Sequence, residues 1–178
     1  SVTYERPVNS GGEQENLIQL FKNGDVETGT TEGWTTTPGE KECSIEATNT
    51  EKASGEYSIH VTNRNTTGAG ACQDISGKLK MGKTYKISGK LKYTEGPESK
   101  KFIVTIQNGP DYNYRENVVN INAVKGEWVE FEGTYTPHDK SDEFPFDPEK
   151  NFIFVETGWV QTPDPVNDHM NYYLDDFS

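Results

Sequence analysis

Residues 84–93 read "TYKISGKLKY", and their parity decides the fold. Tyr85, Ile87, Leu91 and Tyr93 fall on one face, while Lys86, Ser88, Lys90 and Lys92 fall on the other. A period of two belongs to a strand with one face buried; on a helix the same residues would scatter around the axis. Moving outward, "KFIVTIQN" (101–108) sets Phe102, Val104 and Ile106 against Ile103, Thr105 and Gln107. "NFIFVET" (151–157) sets Ile153 and Val155 against Phe152, Phe154 and Glu156. Shorter strands are expected at 43–48, 57–62, 72–76, 117–121, 128–135 and 170–177. Turn residues separate them: Ser54-Gly55, Met81-Gly82, Glu95-Gly96-Pro97 and Asn108-Gly109-Pro110. No segment carries a helical stripe. About ten short strands joined by turns predict an all-β fold, a sandwich of two antiparallel sheets of the jelly-roll kind.

At 178 residues the chain fits one domain. Residues 1–15, "SVTYERPVNSGGEQE", contain Pro7 and Gly11-Gly12 with little to bury, so they are read as a linker or N-terminal extension ahead of a module spanning 16–178. Two long loops, 136–150 and 158–170, interrupt the pattern. Loops of that length on a sandwich are usually functional or mobile, and the second holds Trp159.

Hydrophobic residues make up only 31% of the chain, but 11% aromatics argue against disorder, because large rings must be buried. The net charge of −12 opposes binding to phosphate backbones or anionic membranes and leaves neutral partners and cations open. No nucleic-acid partner is expected. No apolar run approaches the roughly 20 residues of a membrane span, so no membrane insertion is expected either. No secretory leader is legible, and the sequence is expected to begin after one or inside a larger polypeptide. Cys43 and Cys72, if oxidised, would close a loop of about 29 residues; two separate thiols in strands are the equal alternative. His60, His138 and His169 are too scattered to suggest a histidine metal site.

Catalysis finds few candidates. Glycoside cleavage needs two acids fixed on facing strands, whereas most acids here sit in turns. There is no G-x-S-x-G, phosphate-binding glycine loop or H-E-x-x-H. An enzyme is the lesser reading.

The order of motifs is more specific. "NGDVETGTTEGW" (23–34), "ASGEYSIHVTNR" (53–64), "CQDISGKLKMGKTYKISGKLKY" (72–93), "EWVEFEGTYT" (127–136), "NFIFVETG" (151–158) and "NYYLDDFS" (171–178) follow one another. Together they resemble the xylanase-associated carbohydrate-binding modules of family 22, within the clan that includes families 4, 9 and 16. The resemblance implies a galactose-binding-like jelly roll that performs no chemistry. It implies xylan or a related β-glycan held across one sheet, a tethered catalytic domain in the same polypeptide, and a monomer. It further implies secretion by a bacterium, to the medium or the cell surface.

It also implies a structural Ca²⁺, held by Asp25 and Glu56 through their carbonyls together with Glu27, Glu51 and Asp175. Such an ion takes six to eight hard oxygens at about 2.3–2.6 Å and would clamp the two chain ends. Asp176 replaces Asp175 if the register slips by one, and the bland alternative is that Glu27 and Asp175 face water.

For the sugar site, the family pattern maps onto Phe154-Val155-Glu156, where the carboxylate and a ring survive. It also maps onto Tyr112, Tyr114 and Arg115 in "YNYRENVV", and onto Arg64 in "NRNTTGAGAC". That last stretch places Gly68 where the family has a tryptophan, so Trp159 or Trp34 would have to supply a ring from the rim. Gln107 and Thr105 share a polar strand face and either line the cleft or meet solvent. Lys90, standing where relatives often carry a ring, would limit stacking. Trp128 and Tyr135 are read as core, and Trp34 as packing. The rival to a sugar-binding module is a structural or interdomain module that has lost its ligand.

Overall fold

The strand expected at 84–93 runs from Tyr85 to Lys92 and is paired along both edges. A computed structural model describes residues 2–5, 17–108 and 114–178. In chain order its strands are β1 (Val2–Glu5), β2 (Leu17–Gln19), β3 (Thr35–Thr36), β4 (Ser44–Thr48), β5 (Ser58–Thr62) and β6 (Ala71–Asp74). They continue with β7 (Tyr85–Lys92), β8 (Ser99–Asn108), β9 (Tyr114–Val124), β10 (Val129–Tyr135), β11 (Asn151–Glu156) and β12 (Tyr172–Asp175). One short helix, α1 (Pro165–Asp168), precedes β12 and is capped by the Asp164 side chain on the Val166 N–H.

Every pairing is antiparallel, and the strands fall into two sheets. The larger runs β2-β1-β7-β12-β5-β4 with β10 on the other edge of β7; the smaller runs β3-β6-β11-β8-β9. One edge of β7 pairs with β10 from Tyr85 to Leu91. Its other edge is shared: β12 takes Lys90–Lys92 and β1 takes Tyr85–Ile87.

That sharing accounts for a strand within the stretch read as a linker or N-terminal extension. Val2–Glu5 form a strand, because β12 ends at Asp175 and leaves the first half of β7 with unpaired N–H and C=O groups. Tyr4 and Thr3 also pair with Ile18 and Gln19.

Between the sheets lies one core that includes Ile59, Val61, Ile87, Leu91, Tyr93, Phe102, Val104, Ile121, Ile153, Val155, Tyr172 and Leu174. The expected alternation of β7, β8 and β11 holds: Phe102, Val104 and Ile106 point inward, as do Ile153 and Val155. Tyr135 and Trp34 are buried as expected, Trp34 donating from its indole N–H to the Asn23 carbonyl at 2.8 Å. Tyr172 joins the two layers. Its hydroxyl donates to the Val155 carbonyl at 2.8 Å and accepts the Ala71 N–H at 2.9 Å. Residue 70 must be glycine for this approach, since a Cβ there would collide with the Val155 carbonyl and the Tyr172 hydroxyl.

Cys43 and Cys72 are free thiols. Cys72 is buried among Phe152 and Phe154, and that burial pushes its thiol well above the usual range. No helix among the described residues is long and apolar enough to cross a membrane.

Candidate functional site

The outer face of the smaller sheet is assembled from alternate residues of β8, β9 and β11. In the β8–β9 ladder the register shifts between Val104 and Thr105: Val104 faces Val119, but Thr105 faces Asn117. Val118 is the extra residue of this bulge. Its effect is to reset parity, so that Arg115, Asn117, Asn120 and Asn122 are all exposed while Val119, Ile121 and Ala123 enter the core. Without the bulge, Asn120 and Asn122 would share the inward parity. A row of amides is thereby kept on one surface.

Arg115, Asn117 and Asn122 of this row, with Lys101, Ile103 and Thr105, line the floor and one side of an open cleft of about 800 Å³. Glu156, Gly158 and Trp159 close the other side. A neighbouring hollow of about 620 Å³ shares Arg115, Glu156, Trp159 and Val160 and extends over Lys41, Thr66 and Gly68. The two are one trough crossing β9, β8 and β11. Glu156 stands in the middle. It is 8% exposed, and burial pushes its carboxyl above the usual range; Arg115, Thr105, Arg64 and Lys41 act the other way. Thr105 donates to the Asn117 side-chain oxygen at 3.1 Å, which fixes both groups at the floor. Trp159 is 79% exposed and projects at the rim from a turn in which Gly158 has φ +77°.

Of the residues expected to bind sugar, Glu156, Arg115 and Trp159 are brought together here. Phe154 is not: although on the same strand face, it is fully buried against Phe152 and Cys72 and offers no free ring. Gln107 faces Arg115 across the ladder, half-buried, but is not among the residues lining the trough. Tyr114 occupies the register position opposite Asn108, and Tyr112 lies outside the described residues.

Arg64 lies beneath the site, 5% exposed. Its guanidinium donates to the carbonyls of Ala69 at 2.7 Å, Thr67 at 2.8 Å and Met170 at 3.0 Å, and to the Thr157 hydroxyl at 3.0 Å. It is a brace, not a ligand contact. Asn117, Asn122, Lys101 and Lys41 were not anticipated. The asparagines were visible as "NVVNINAV" (117–124), but only the bulge makes their parity agree.

The residues expected to hold calcium gather only in part. Glu27 accepts the N–H groups of Glu56 at 2.8 Å and Tyr57 at 3.0 Å. Asp175 is wholly buried and accepts those of Ala53 at 2.9 Å and Ser54 at 3.1 Å, so both carboxylates sit on the turn 53–57. Burial raises the Asp175 carboxyl above its usual range, and no described cation pairs with it, although Lys90 pairs with Asp176 at 3.3 Å. A buried carboxylate held only by N–H groups beside a second acid is chemistry that suits a hard cation. Glu51 does not join them: its carboxylate pairs with Lys92 at 2.8 Å and its carbonyl accepts the Ser58 hydroxyl at 2.6 Å. The Asp25 carboxylate turns to the Glu27 N–H at 3.2 Å, leaving its carbonyl as the donor expected of it. Among the described residues no three acidic, histidine or cysteine side chains form a cluster, so an ion here would draw most of its oxygens from the main chain.

A jelly-roll sandwich with an open trough of amides, a carboxylate and a projecting indole defines a class, the sugar-binding module. Such a surface offers hydrogen bonds to hydroxyls and a flat face to C–H edges, with no need for net positive charge. A family model described as "Carbohydrate binding domain" (CBM_4_9) matches residues 19–147, and the chain belongs to that family. It is 29% identical over 165 residues to endo-1,4-beta-xylanase A of Thermoanaerobacterium saccharolyticum, covering 89% of this chain and 13% of that protein. It is 29% identical over 168 residues to the exoglucanase XynX of Acetivibrio thermocellus, covering 91% of this chain and 14% of that protein. The chain thus spans about one-seventh of each of these relatives. Its fold superposes on the CBM22-2 xylan-binding domain of Paenibacillus barcinonensis Xyn10C with TM-score 0.74 at 19% identity, covering 90% of this chain and 98% of that one. The chain is a carbohydrate-binding domain, and the relatives it matches at 29% identity are much longer polypeptides, a xylanase and an exoglucanase.

Proposed function

We propose that this module binds xylan, or a closely related β-glycan, in the trough across β8, β9 and β11, and holds an attached glycoside hydrolase against that substrate. The observation that carries this reading is the convergence of Glu156, Arg115, Asn117 and Trp159 on one open trough. An open trough leaves room for a length of sugar chain to lie along the sheet, whereas an enclosed pocket would not. Glu156 would accept sugar hydroxyls, the amides would both donate and accept, and Trp159 would cover one sugar face from the rim. Tethering raises the effective concentration of enzyme at its substrate without new contacts. Its substrate being a wall polysaccharide, the polypeptide would work outside the cell, as a monomer.

The reading includes one Ca²⁺ held by Glu27 and Asp175 with main-chain oxygens of Asp25 and Glu56. Such an ion would neutralise the buried Asp175 and tie the first loop to the last strand.

Affinity gels containing xylan, mixed-linkage glucan or mannan test the function. Retardation by xylan with no sugar released is the expected result. No retardation by any of the three would leave a structural module, and released sugar would make it an enzyme.

A further inference from the structure

The trough is cationic in a protein that is not. On the outer face of the opposite sheet lysines are matched by acids: Lys86 with Glu132 at 2.6 Å, Lys90 with Asp176 at 3.3 Å, and Lys92 with Glu51 at 2.8 Å. In the trough, Lys100 is likewise taken by Asp168 at 2.8 Å. Lys41, Lys101 and Arg115 differ. They line the trough, and among the described residues none of the three is joined to an acid by an ion pair. The acids lining it are Glu156 and, at the outer end, Glu40. A chain of net charge −12 therefore leaves unmatched cations along this surface.

Lys41 is also seated there. A Cβ at residue 68 would stand 2.8 Å from its Cδ and 3.0 Å from its Cε, so a larger residue at Gly68 would displace the lysine stem. Glycine thus makes room for a cation on the trough wall beside Glu156 and Arg115. Burial and the nearness of Arg115 both lower the Lys41 ammonium, while Glu156 raises it, so these three groups share one field.

From this arrangement we infer that the trough takes a β-glycan bearing carboxylate side groups, a uronate-substituted chain, with Arg115 and Lys41 binding the carboxylate while Glu156 and the asparagines hold the main chain. The guanidinium can take a carboxylate through two parallel N–H bonds, and the ammonium supplies a second charge. This inference rests on the trough being the glycan site and deepens that reading.

Calorimetry on the 178-residue chain tests it with three probes: xylohexaose, the same oligosaccharide carrying one glucuronosyl branch, and oligogalacturonate. The branched probe should bind about tenfold more tightly than xylohexaose at low ionic strength, and high salt should shrink the difference. In the double variant Lys41→Gln/Arg115→Gln the ratio should fall to near one, whereas Lys86→Gln on the opposite sheet should leave it unchanged. Equal affinity for the two xylo-oligosaccharides, or a ratio that survives the double variant, overturns the inference and leaves xylan binding standing. Oligogalacturonate bound as tightly as the branched probe also overturns it, because charge alone would then be recognised. Failure of both xylo-oligosaccharides to bind would instead remove the proposed function itself.

Discussion

Arg64 donates to the Thr157 hydroxyl at 3.0 Å, joining the segment just after β5 to the first residue after β11 across 93 positions of sequence. Thr157 also donates to the Asp168 carbonyl, and its N–H reaches the Thr67 carbonyl at 3.0 Å. The loops 65–70 and 157–170, which carry Gly68 and Trp159, are therefore held by one buried guanidinium. Arg64→Ala should lower stability by about 3 kcal/mol, because several buried carbonyls lose a charged donor at once. For a domain of this size that is a fall in Tm of about 6–12 °C, measurable by calorimetry. A shift smaller than 2 °C, on the order of 1 kcal/mol or less, would show that the brace is dispensable.

Glu156→Ala should weaken xylan binding at least about tenfold, the scale of one lost charged hydrogen-bond acceptor. Its effect on Tm should be small, because burial disfavours the charge in the folded state and its removal relieves that cost. Unchanged binding in affinity gels would discard Glu156 as a ligand contact.

The same burial predicts a pH dependence. The folded protein holds the Glu156 proton to higher pH than the unfolded chain does, so stability falls as pH rises from the ordinary carboxylate value through the raised one. Asp168, held low by Lys100, contributes with the opposite sign at lower pH. The difference between wild type and Glu156→Gln isolates the contribution of Glu156. Binding runs the other way, since an accepting carboxylate is lost as pH falls through its raised value. Titrations of Tm and of xylan affinity should therefore move in opposite senses across one window, and both should flatten in Glu156→Gln.

Trp159→Ala removes a ring that is 79% exposed, so stability should not change. Affinity should fall about threefold to tenfold, as expected for one stacking contact of about 0.5–1.5 kcal/mol. Tryptophan fluorescence should respond to xylan in the wild type and lose most of that response in the variant. A response that persists would place the reporting indole elsewhere.

Chelation should lower Tm, because an ion bound only by the folded state stabilises it by mass action. Asp175→Asn should mimic chelation and make the melt insensitive to EDTA. Metal analysis finding no calcium, together with an EDTA-insensitive wild type, would leave the turn 53–57 clamped by hydrogen bonds to Glu27 and Asp175 alone.

Strand identity and facing were legible from parity alone, because a strand with one buried face cannot shift by one residue without turning its apolar set outward. That logic marked Ile153 and Val155 as core and Glu156 as outward, and it exposed Gln107 and Thr105 as a polar row. It failed at β9, where the Val118 bulge breaks parity and hides the asparagine row. It also gave no sign of the strand Val2–Glu5, which pairs with the part of β7 that β12 leaves uncovered.

The chain by itself determined that two sheets would stack and which residues of the long strands face each other across the core, because side-chain alternation is a local property. Tertiary structure decided which outward residues bind. Phe154 and Glu156 are two apart on one strand, yet neighbours from β6 seal the first while the second, though largely buried, lines the trough. Arg64 and Arg115 looked alike as basic residues in turn-rich stretches. One became a buried brace and the other an exposed guanidinium, since the groups that surround a side chain include partners from segments 93 and 106 residues away.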